Sequence, residues 1–310
     1  MQLTNRRVRL MGTVIDVSIY HEEPEPLLDQ VEALLHTYNK RFSANDDSSE
    51  LMKINKAAGL HPVTVHPELF ELISLGKWHS CQPGSHLNIA IGPLIQTWRI
   101  GFSDAKLPLP EEIRPLLDII NPNAILLSEE NQSVFLKEKG MKIDLGALAK
   151  GYIADRIADF LKAKKVTSAL INLGGNVLTF GPALHNPDQK WRIGIQNPKE
   201  TRNTNLMVLA IRDKSVVTSG IYERTFEIDG KTYHHIFNSQ TGYPVSSDLA
   251  SLTIISSLSV DGEIWTTRLF GSSLEHIFQE VSSQAELEAI IVDKDNHCFQ
   301  TGGIYKMRIS

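Results

Sequence analysis

The chain has 310 residues, of which 42% are hydrophobic and 22% are charged, and its formal net charge at pH 7 is −5. These are the values of an ordinary globular protein with a sizeable core, and the negative charge excludes a general attraction to nucleic acid or to anionic membranes. The two cysteines, Cys81 and Cys298, form no metal-binding or redox pair, which fits a reducing compartment. No apolar run approaches the length of a membrane span, and the first 20 residues lack a signal-peptide core, so we expect a cytoplasmic protein.

The first part of the chain predicts one strand followed by helices. Residues 7–20 alternate as a strand that is interrupted at Met11-Gly12-Thr13, where the glycine indicates a bulge or a close approach of the backbone. A polar loop over residues 41–50 follows, in which Ser48 or Ser49 is expected to cap a short helix. Helices are predicted over residues 27–38, 50–55 and 67–79.

An apolar run over residues 86–98 contains one unexpected amide. It predicts a buried strand or turn that ends at Gly92-Pro93, where a helix begins. Asn88 lies within this run and needs a partner, because a buried amide without a hydrogen bond is costly. Anchoring of a neighbouring loop and contact with a ligand are both open interpretations of Asn88. Residues 103–139 indicate no chemistry.

The stretch from Ile143 to Asp155 predicts the end of an apolar strand, a turn at Gly146 and then a helix with Lys150 near its start. The first N–H groups of a helix are unpaired and carry the positive end of the helix dipole, so such a start can receive an anion. The lysine favours a phosphate site, and Asp144 before the turn indicates a cation or a sugar or base donor nearby. The alternative is that Asp144 caps the helix and Lys150 is solvated.

The second half of the chain predicts a run of strands, then two helices, then strands again. Asp229-Gly230 indicates a hairpin turn, and Glu263 and Thr267 are spaced to lie on the same side of a helix. Because strands and helices come in separate runs, we expect an α+β fold with mixed or antiparallel sheets flanked by helices. Strands are predicted over residues 169–173, 191–195, 206–211, 215–220, 252–256, 286–292 and 303–309, and helices over 259–272 and 274–281.

Each of these features has an ordinary structural explanation, but their order along the chain resembles that of the ApbE family of FAD:protein FMN transferases. The matching segments are MGT at 11–13, SSEL at 48–51, NIAIGPL at 88–94, DLGALAKGY at 144–152, INLGGN at 171–176, TSG at 218–220, HHI at 234–236, TGYP at 241–244 and G-E-x-x-x-T at 262–267. The resemblance covers most of the chain. It implies the ApbE-like flavin transferase fold as a single domain over residues 1–310, with two subdomains that hold FAD between them as the alternative.

The resemblance also implies an enzyme that transfers FMN from FAD to a threonine hydroxyl of a partner flavoprotein and releases AMP, with Mg²⁺ against the pyrophosphate. The metal ligands would be Glu263, Thr267 and, through its backbone carbonyl, Ala147. The catalytic residues would be Lys150, which neutralises phosphate charge, and His235, which accepts the hydroxyl proton or orients the acceptor. The FAD contacts would be Met11, Asn45, His86, Leu87, Asn88, Asp144, Lys150 and His235.

Three positions depart from the usual pattern of the family. Glu263 and Asn88 stand where the family usually has aspartate, and Asn238-Ser239 replaces Asp-Pro. The longer Glu263 changes the reach of a carboxylate at a site where Mg²⁺ demands tight octahedral geometry. Two alternative functions use the same residues, namely a metal-dependent FAD pyrophosphatase that yields FMN and AMP, and a protein that binds FAD without turnover. The chain has no obvious acceptor segment, so the flavin acceptor is expected to be a separate protein.

Overall fold

A computed structural model of the protein describes residues 2–309. Its helices are α1 (Pro24–Phe42), α2 (Glu50–Lys56), α3 (Pro67–Ser80), α4 (Gly92–Trp98), α5 (Pro110–Leu117), α6 (Ala149–Ala163), α7 (Ser259–Leu269) and α8 (Leu274–Ser283), with 3₁₀ turns at Pro122–Ala124 and Gly302–Lys306. Its strands are β1 (Leu3–Leu10), β2 (Thr13–Tyr20), β3 (Val63–Thr64), β4 (Ile125–Ser128), β5 (Ser133–Leu136), β6 (Ser168–Leu173), β7 (Asn176–Phe180), β8 (Trp191–Gln196), β9 (Asn205–Ile211), β10 (Ser215–Gly220), β11 (Thr225–Ile228), β12 (Lys231–His234), β13 (Leu249–Ser256), β14 (Glu288–Asp293) and β15 (Cys298–Gln300). None of the helices in this described range is long and apolar enough to cross a membrane.

One large sheet organises the fold. Its eight strands lie in the order β1-β2-β6-β7-β10-β13-β14-β15, and every neighbouring pair is antiparallel. Smaller sheets are formed by β3-β5-β4 and by the hairpins β8-β9 and β11-β12. The predicted α+β class with antiparallel sheets and flanking helices is therefore confirmed.

The large sheet is covered on both faces because its side chains alternate between two cores. Ile254 of β13 packs in the larger core with residues of α1, α3, α6 and α7, whereas its neighbour Ile255 packs in a second core with Trp191 and other residues of β8 and β9. All eight residues of β13 are buried as a result. A third, smaller core joins α4 and α5 to the segment after β12, around Trp98 and Phe237.

The interruption predicted at Met11 is a hairpin turn between two strands, so the prediction of one interrupted strand over 7–20 is wrong. Met11 and Gly12 have φ angles of 54° and 71°, which is the left-handed conformation that tight two-residue hairpins require. The alternation of apolar and polar residues continues across a two-residue turn. This alternation alone therefore could not show where the first strand ends and the second begins. The hairpin predicted at Asp229-Gly230 is confirmed, with φ angles of 51° and 71° at these two residues between β11 and β12.

Two predicted strands are absent, and one observed strand was not predicted. The segment before α4 takes the turn alternative of its prediction, whereas the predicted strand end before α6 is not a strand. The two segments meet in an isolated parallel bridge between Ile91 and Lys142 and in a hydrogen bond of 2.9 Å from the N–H of Asp144 to the carbonyl of Ile89. Residues 303–309 are not a strand either, since Gly302–Lys306 forms a 3₁₀ turn and one bridge follows between Leu209 and Arg308. Strand β7 was missed because its residues are buried on both faces and show no alternation.

The close contact between α6 and α7 determines where the functional residues lie. A side-chain carbon added at Gly151 of α6 would stand 2.6 Å from the carbonyl oxygen of Ser259 and 2.8 Å from Cγ of Glu263. The carboxylate of Asp155, also on α6, accepts the N–H groups of Ser259 at 2.8 Å and of Val260 at 2.9 Å. Asp155 thus satisfies the first N–H groups of α7, which has no cap of its own.

This contact predicts that Gly151→Ala destabilises the protein. In an open helix the change would stabilise by about 0.5–1 kcal/mol, but here the methyl group overlaps α7, and overpacking of this kind costs about 1–3 kcal/mol. Urea denaturation measures the difference, with Gly302→Ala as the control because a methyl group at Gly302 meets open space. A Gly151→Ala protein that is as stable as the native protein would contradict the close packing of α6 on α7.

Candidate active site

A buried carboxylate lies at the centre of the site. Oε1 of Glu263 is 3.1 Å from Nζ of Lys150 and accepts a hydrogen bond of 2.9 Å from Nδ2 of Asn176. Only 6% of the Glu263 side chain is exposed, compared with 30% of the Lys150 side chain. A carboxylate so deeply buried requires a charge partner and hydrogen-bond donors. The structure therefore brings together two residues that the sequence assigned separately, one to metal and one to phosphate.

The start of α6 beside Lys150 has unused hydrogen-bonding groups. Among the backbone hydrogen bonds of residues 2–309, none engages the N–H groups of Lys150 and Gly151 or the carbonyl of Ala147. Helix α6 begins at Ala149 after Leu148, which provides no side-chain cap. The free N–H groups point to anion binding and the free carbonyl to cation binding at the same helix start.

Asp144 does not cap α6, so that alternative is wrong. Its Oδ1 accepts a hydrogen bond of 2.7 Å from the N–H of Gly146, which closes a turn before the helix begins. Burial raises the pKa of Asp144, and the Gly146 N–H and the charge of Arg224 oppose this shift. No hydrogen bond within the described chain engages Oδ2 of Asp144, so this oxygen is available to a donor on a ligand.

The ring of His235 has a defined tautomer. Its Nδ1 lies 3.3 Å from the carbonyl oxygen of Arg224, and because a carbonyl only accepts, Nδ1 carries the hydrogen. Nε2 is then the acceptor. Burial, together with the charge of Arg224, lowers the pKa of His235 to about 4, so the ring is neutral at pH 7. The surroundings of this ring therefore lower its pKa below the ordinary histidine value that the sequence alone suggests.

The segment His86-Leu87-Asn88 is mainly anchored to the protein itself. The Asn88 amide donates to the carbonyl of Ile120 at 2.8 Å and accepts from the N–H of Ala90 at 2.8 Å, so the loop-anchoring interpretation of Asn88 is the one observed. Leu87 is 2% exposed and belongs to the larger core. His86 is half-buried, which lowers its pKa. A ligand would therefore meet this segment through His86 or through the backbone.

A cleft of about 290 Å³ opens beside His86. It lies between the loop 82–86 and the turn Asn238–Gln240. The side chain of Asn238 holds this turn by accepting the N–H of Gln240 at 2.8 Å, so the departure from Asp-Pro keeps an ordered turn. The volume is at the lower end for small-molecule sites, so a dinucleotide would place only one end here.

The remaining predicted residues lie in three different parts of the fold. Thr267 follows Glu263 by one turn of α7 and is half-buried, with no side-chain hydrogen bond within residues 2–309. Met11 is half-buried in the β1–β2 turn, at the end of the sheet where the N–H of Gly174 bonds the carbonyl of Val14 at 3.1 Å. Asn45 is exposed in the loop before α2, and no contact in the described chain joins its side chain to the others.

Sequence reasoning missed three residues that support the site. Asn176 contacts Glu263 directly, Asp155 fixes the start of α7, and Arg224 holds His235 through its carbonyl. Asn176 lay within the INLGGN segment, where an amide after a glycine turn gave no indication of its partner. Asp155 carried a usable signal, because a carboxylate on the apolar face of a helix requires a donor.

Comparison with known proteins shows which family this chain is similar to. A model of the ApbE family matches residues 11–291. The chain is 44% identical over 286 residues to an FAD:protein FMN transferase of Klebsiella pneumoniae (strain 342), covering 92% of this chain and 88% of that protein. It is 33% identical over 315 residues to an FAD:protein FMN transferase of Treponema pallidum (strain Nichols), covering 97% and 87%. The fold matches the crystal structure of the ApbE protein from Thermotoga maritima MSB8 with a TM-score of 0.91 and 24% identity, covering 100% of both chains.

The surroundings of His235 predict its NMR behaviour. We expect ¹H–¹⁵N spectra to show a neutral ring with the hydrogen on Nδ1 at pH 6, because burial opposes protonation. Protonation should occur only as the pH falls through about 4. The spectrum of a His235→Gln variant assigns the signal. A midpoint near the ordinary value of about 6.5 would show that the ring is not desolvated as described.

Proposed function

The chain belongs to the ApbE family, and we propose that it is an FAD:protein FMN transferase that moves FMN from FAD to a threonine hydroxyl of a partner flavoprotein and releases AMP. The observation that carries the proposal is the contact between Lys150 and Glu263 at the start of α6. It places a cation for phosphate beside a carboxylate for a metal. Phosphoryl transfer needs these two charges more than it needs covalent chemistry from the protein.

The proposed metal ligands have the chemistry that Mg²⁺ prefers. The carbonyl of Ala147, the hydroxyl of Thr267 and Oε2 of Glu263 are oxygens, and no hydrogen bond within residues 2–309 engages any of them. That same range contains no cluster of three His, Cys, Asp or Glu side chains. Substrate phosphates and water would therefore complete the coordination, and bound Mg²⁺ would neutralise charge on the pyrophosphate.

The protein side chains would divide the remaining work. Lys150 and the free N–H groups at the start of α6 would bind the pyrophosphate, whose negative charge they match. The threonine hydroxyl of the acceptor would attack the phosphorus on the FMN side, the bond from that phosphorus to the bridging oxygen would break, and AMP would leave. Nε2 of His235 would take the hydroxyl proton. A phosphate anion near the ring would raise the pKa of His235 above its value in the free protein and make it a better base.

The other FAD contacts would come from residues around this centre. Oδ2 of Asp144 is available to a ribose or base donor, and His86 lines the cleft beside the Asn238 turn. Met11 would contact FAD at the end of the large sheet, whereas Asn45 would do so only from its exposed loop. We propose a single domain over residues 1–310, acting in the cytoplasm on a separate acceptor protein.

The first test is direct flavin transfer. The protein is incubated with FAD, Mg²⁺ and an acceptor domain that bears a candidate threonine, and mass spectrometry should detect FMN bound to the acceptor together with an equal amount of AMP. Glu263→Gln, which keeps the shape and removes the charge, should reduce the rate by about 10²-fold or more. FMN and AMP without a modified acceptor would instead establish the pyrophosphatase, and no turnover with any acceptor or metal would leave only FAD binding.

The second test concerns Lys150. Lys150→Ala should lower kcat/KM for FAD by about 10²–10³-fold, because it removes a charge that contacts phosphate in the transition state. Lys162→Ala, at the exposed far end of the same helix, is the matched control and should leave kcat/KM unchanged. Normal FAD binding and transfer by the Lys150→Ala protein would remove this lysine from the mechanism.

A further inference from the structure

We propose that Asn176 is a positioning residue that holds Oε1 of Glu263 and so leaves Oε2 as the only oxygen of this carboxylate for a cation. This inference rests on the proposed function, because it takes Glu263 as a metal ligand. It adds a consequence for the choice of metal. A carboxylate restricted to one oxygen suits Mg²⁺, whereas Ca²⁺ accepts both oxygens of one carboxylate in its larger coordination shell.

The orientation of the Asn176 amide follows from its two neighbours. Asn176 is 3% exposed, and the amide atom 2.9 Å from Oε1 of Glu263 must be the NH₂ group because an ionised carboxylate only accepts. Its Oδ1 accordingly faces the hydroxyl of Ser259, which donates to it at 2.5 Å. Both ends of the amide are therefore fixed by buried partners, and it cannot turn its oxygen toward Glu263.

Ser259 is itself held by further buried groups. Its N–H bonds the carboxylate of Asp155 at 2.8 Å, and its hydroxyl lies 3.0 Å from the hydroxyl of Ser215. All of these side chains are at least nine-tenths buried. The network thus connects α6, β10 and the first residue of α7 to Asn176, and these buried hydrogen bonds together favour one geometry of the amide.

Two groups approach the same oxygen of Glu263. Nζ of Lys150 forms an ion pair of 3.1 Å with Oε1, which also accepts the hydrogen bond from Asn176, and no hydrogen bond in residues 2–309 engages Oε2. When Lys150 contacts phosphate, Asn176 remains the group that holds Oε1 in place. Glutamate has one more rotatable bond than aspartate, so a fixed point near its end is what aligns the longer side chain.

Cation binding to the FAD-loaded protein without acceptor tests this role. Mn²⁺ binding is measured by electron paramagnetic resonance, and Ca²⁺ affinity by competition with Mn²⁺. Asn176→Ala should lower Mn²⁺ affinity by about 10- to 100-fold and Ca²⁺ affinity by less, so that the Mn²⁺/Ca²⁺ affinity ratio falls by about tenfold. The control is Asn172→Ala, in the same hairpin, whose side chain accepts from Gly175 and does not contact Glu263. It should leave both affinities unchanged.

A second pair of variants separates positioning from a general loosening of the fold. In the Glu263→Asp background the carboxylate is one methylene shorter and should lose the contact with Asn176, so adding Asn176→Ala should change Mn²⁺ affinity by less than about twofold. An unchanged Mn²⁺/Ca²⁺ ratio in Asn176→Ala, or an equal loss in both backgrounds, would overturn the inference. The absence of Mn²⁺ binding to the native protein would also overturn it. If Asn176→Ala changes cation binding as expected but the protein transfers no FMN, only the proposed function is refuted. If the protein transfers FMN but Asn176→Ala does not change cation binding in this way, only the role of Asn176 is refuted.

Discussion

The buried pairing of Glu263 with Lys150 and Asn176 is the interaction on which the rest of the site depends. A carboxylate as deeply buried as that of Glu263 is costly without a charge partner and a hydrogen-bond donor, so the fold must bring both groups to one oxygen. The donors come from α6 and β7, and the carboxylate comes from α7. Gly151 allows α6 to approach α7, and Gly262 allows α7 to approach Val217 of β10. Each of these glycines is next to a residue of the pair in sequence.

The antiparallel sheet explains why segments far apart in the chain meet at one end. The turn of the β1–β2 hairpin and the turn of the β6–β7 hairpin lie side by side, because β2 and β6 are neighbours. Strand β10 runs toward the same end and leads to Arg224, which holds His235. The hairpin turns of the sheet and the loop after β10 therefore lie close together near the starts of α6 and β7. The family segments MGT, INLGGN and TSG lie at this end of the sheet.

Sequence reasoning succeeded where a pattern is periodic and failed where a residue depends on a distant partner. The long helices and most strands of the large sheet could be predicted because their apolar positions recur along the chain. Residues 303–309 could not, since Gly302 and Gly303 turn the chain before any pairing forms. The order of the family segments led to the prediction of Lys150 and Glu263 as site residues but gave no indication of their contact. The Asn88 amide, the tautomer of His235 and the partner of Asn176 all depend on groups more than ten residues away, which no local pattern encodes.

The same network explains how the fold holds a glutamate at position 263, where the resemblance to the family leads us to expect aspartate. An extra methylene in a loosely held side chain would spread the carboxylate over several rotamers. This spread would weaken the binding of an ion that requires one coordination geometry. Here Ser259 both begins α7 and donates to Asn176, so the start of the helix and the end of the glutamate are fixed by one set of hydrogen bonds. Movement of the helix would move the amide that holds the carboxylate. The position of Glu263 is therefore set jointly by α6, α7 and β7, and this shared constraint allows the longer side chain to retain a single geometry.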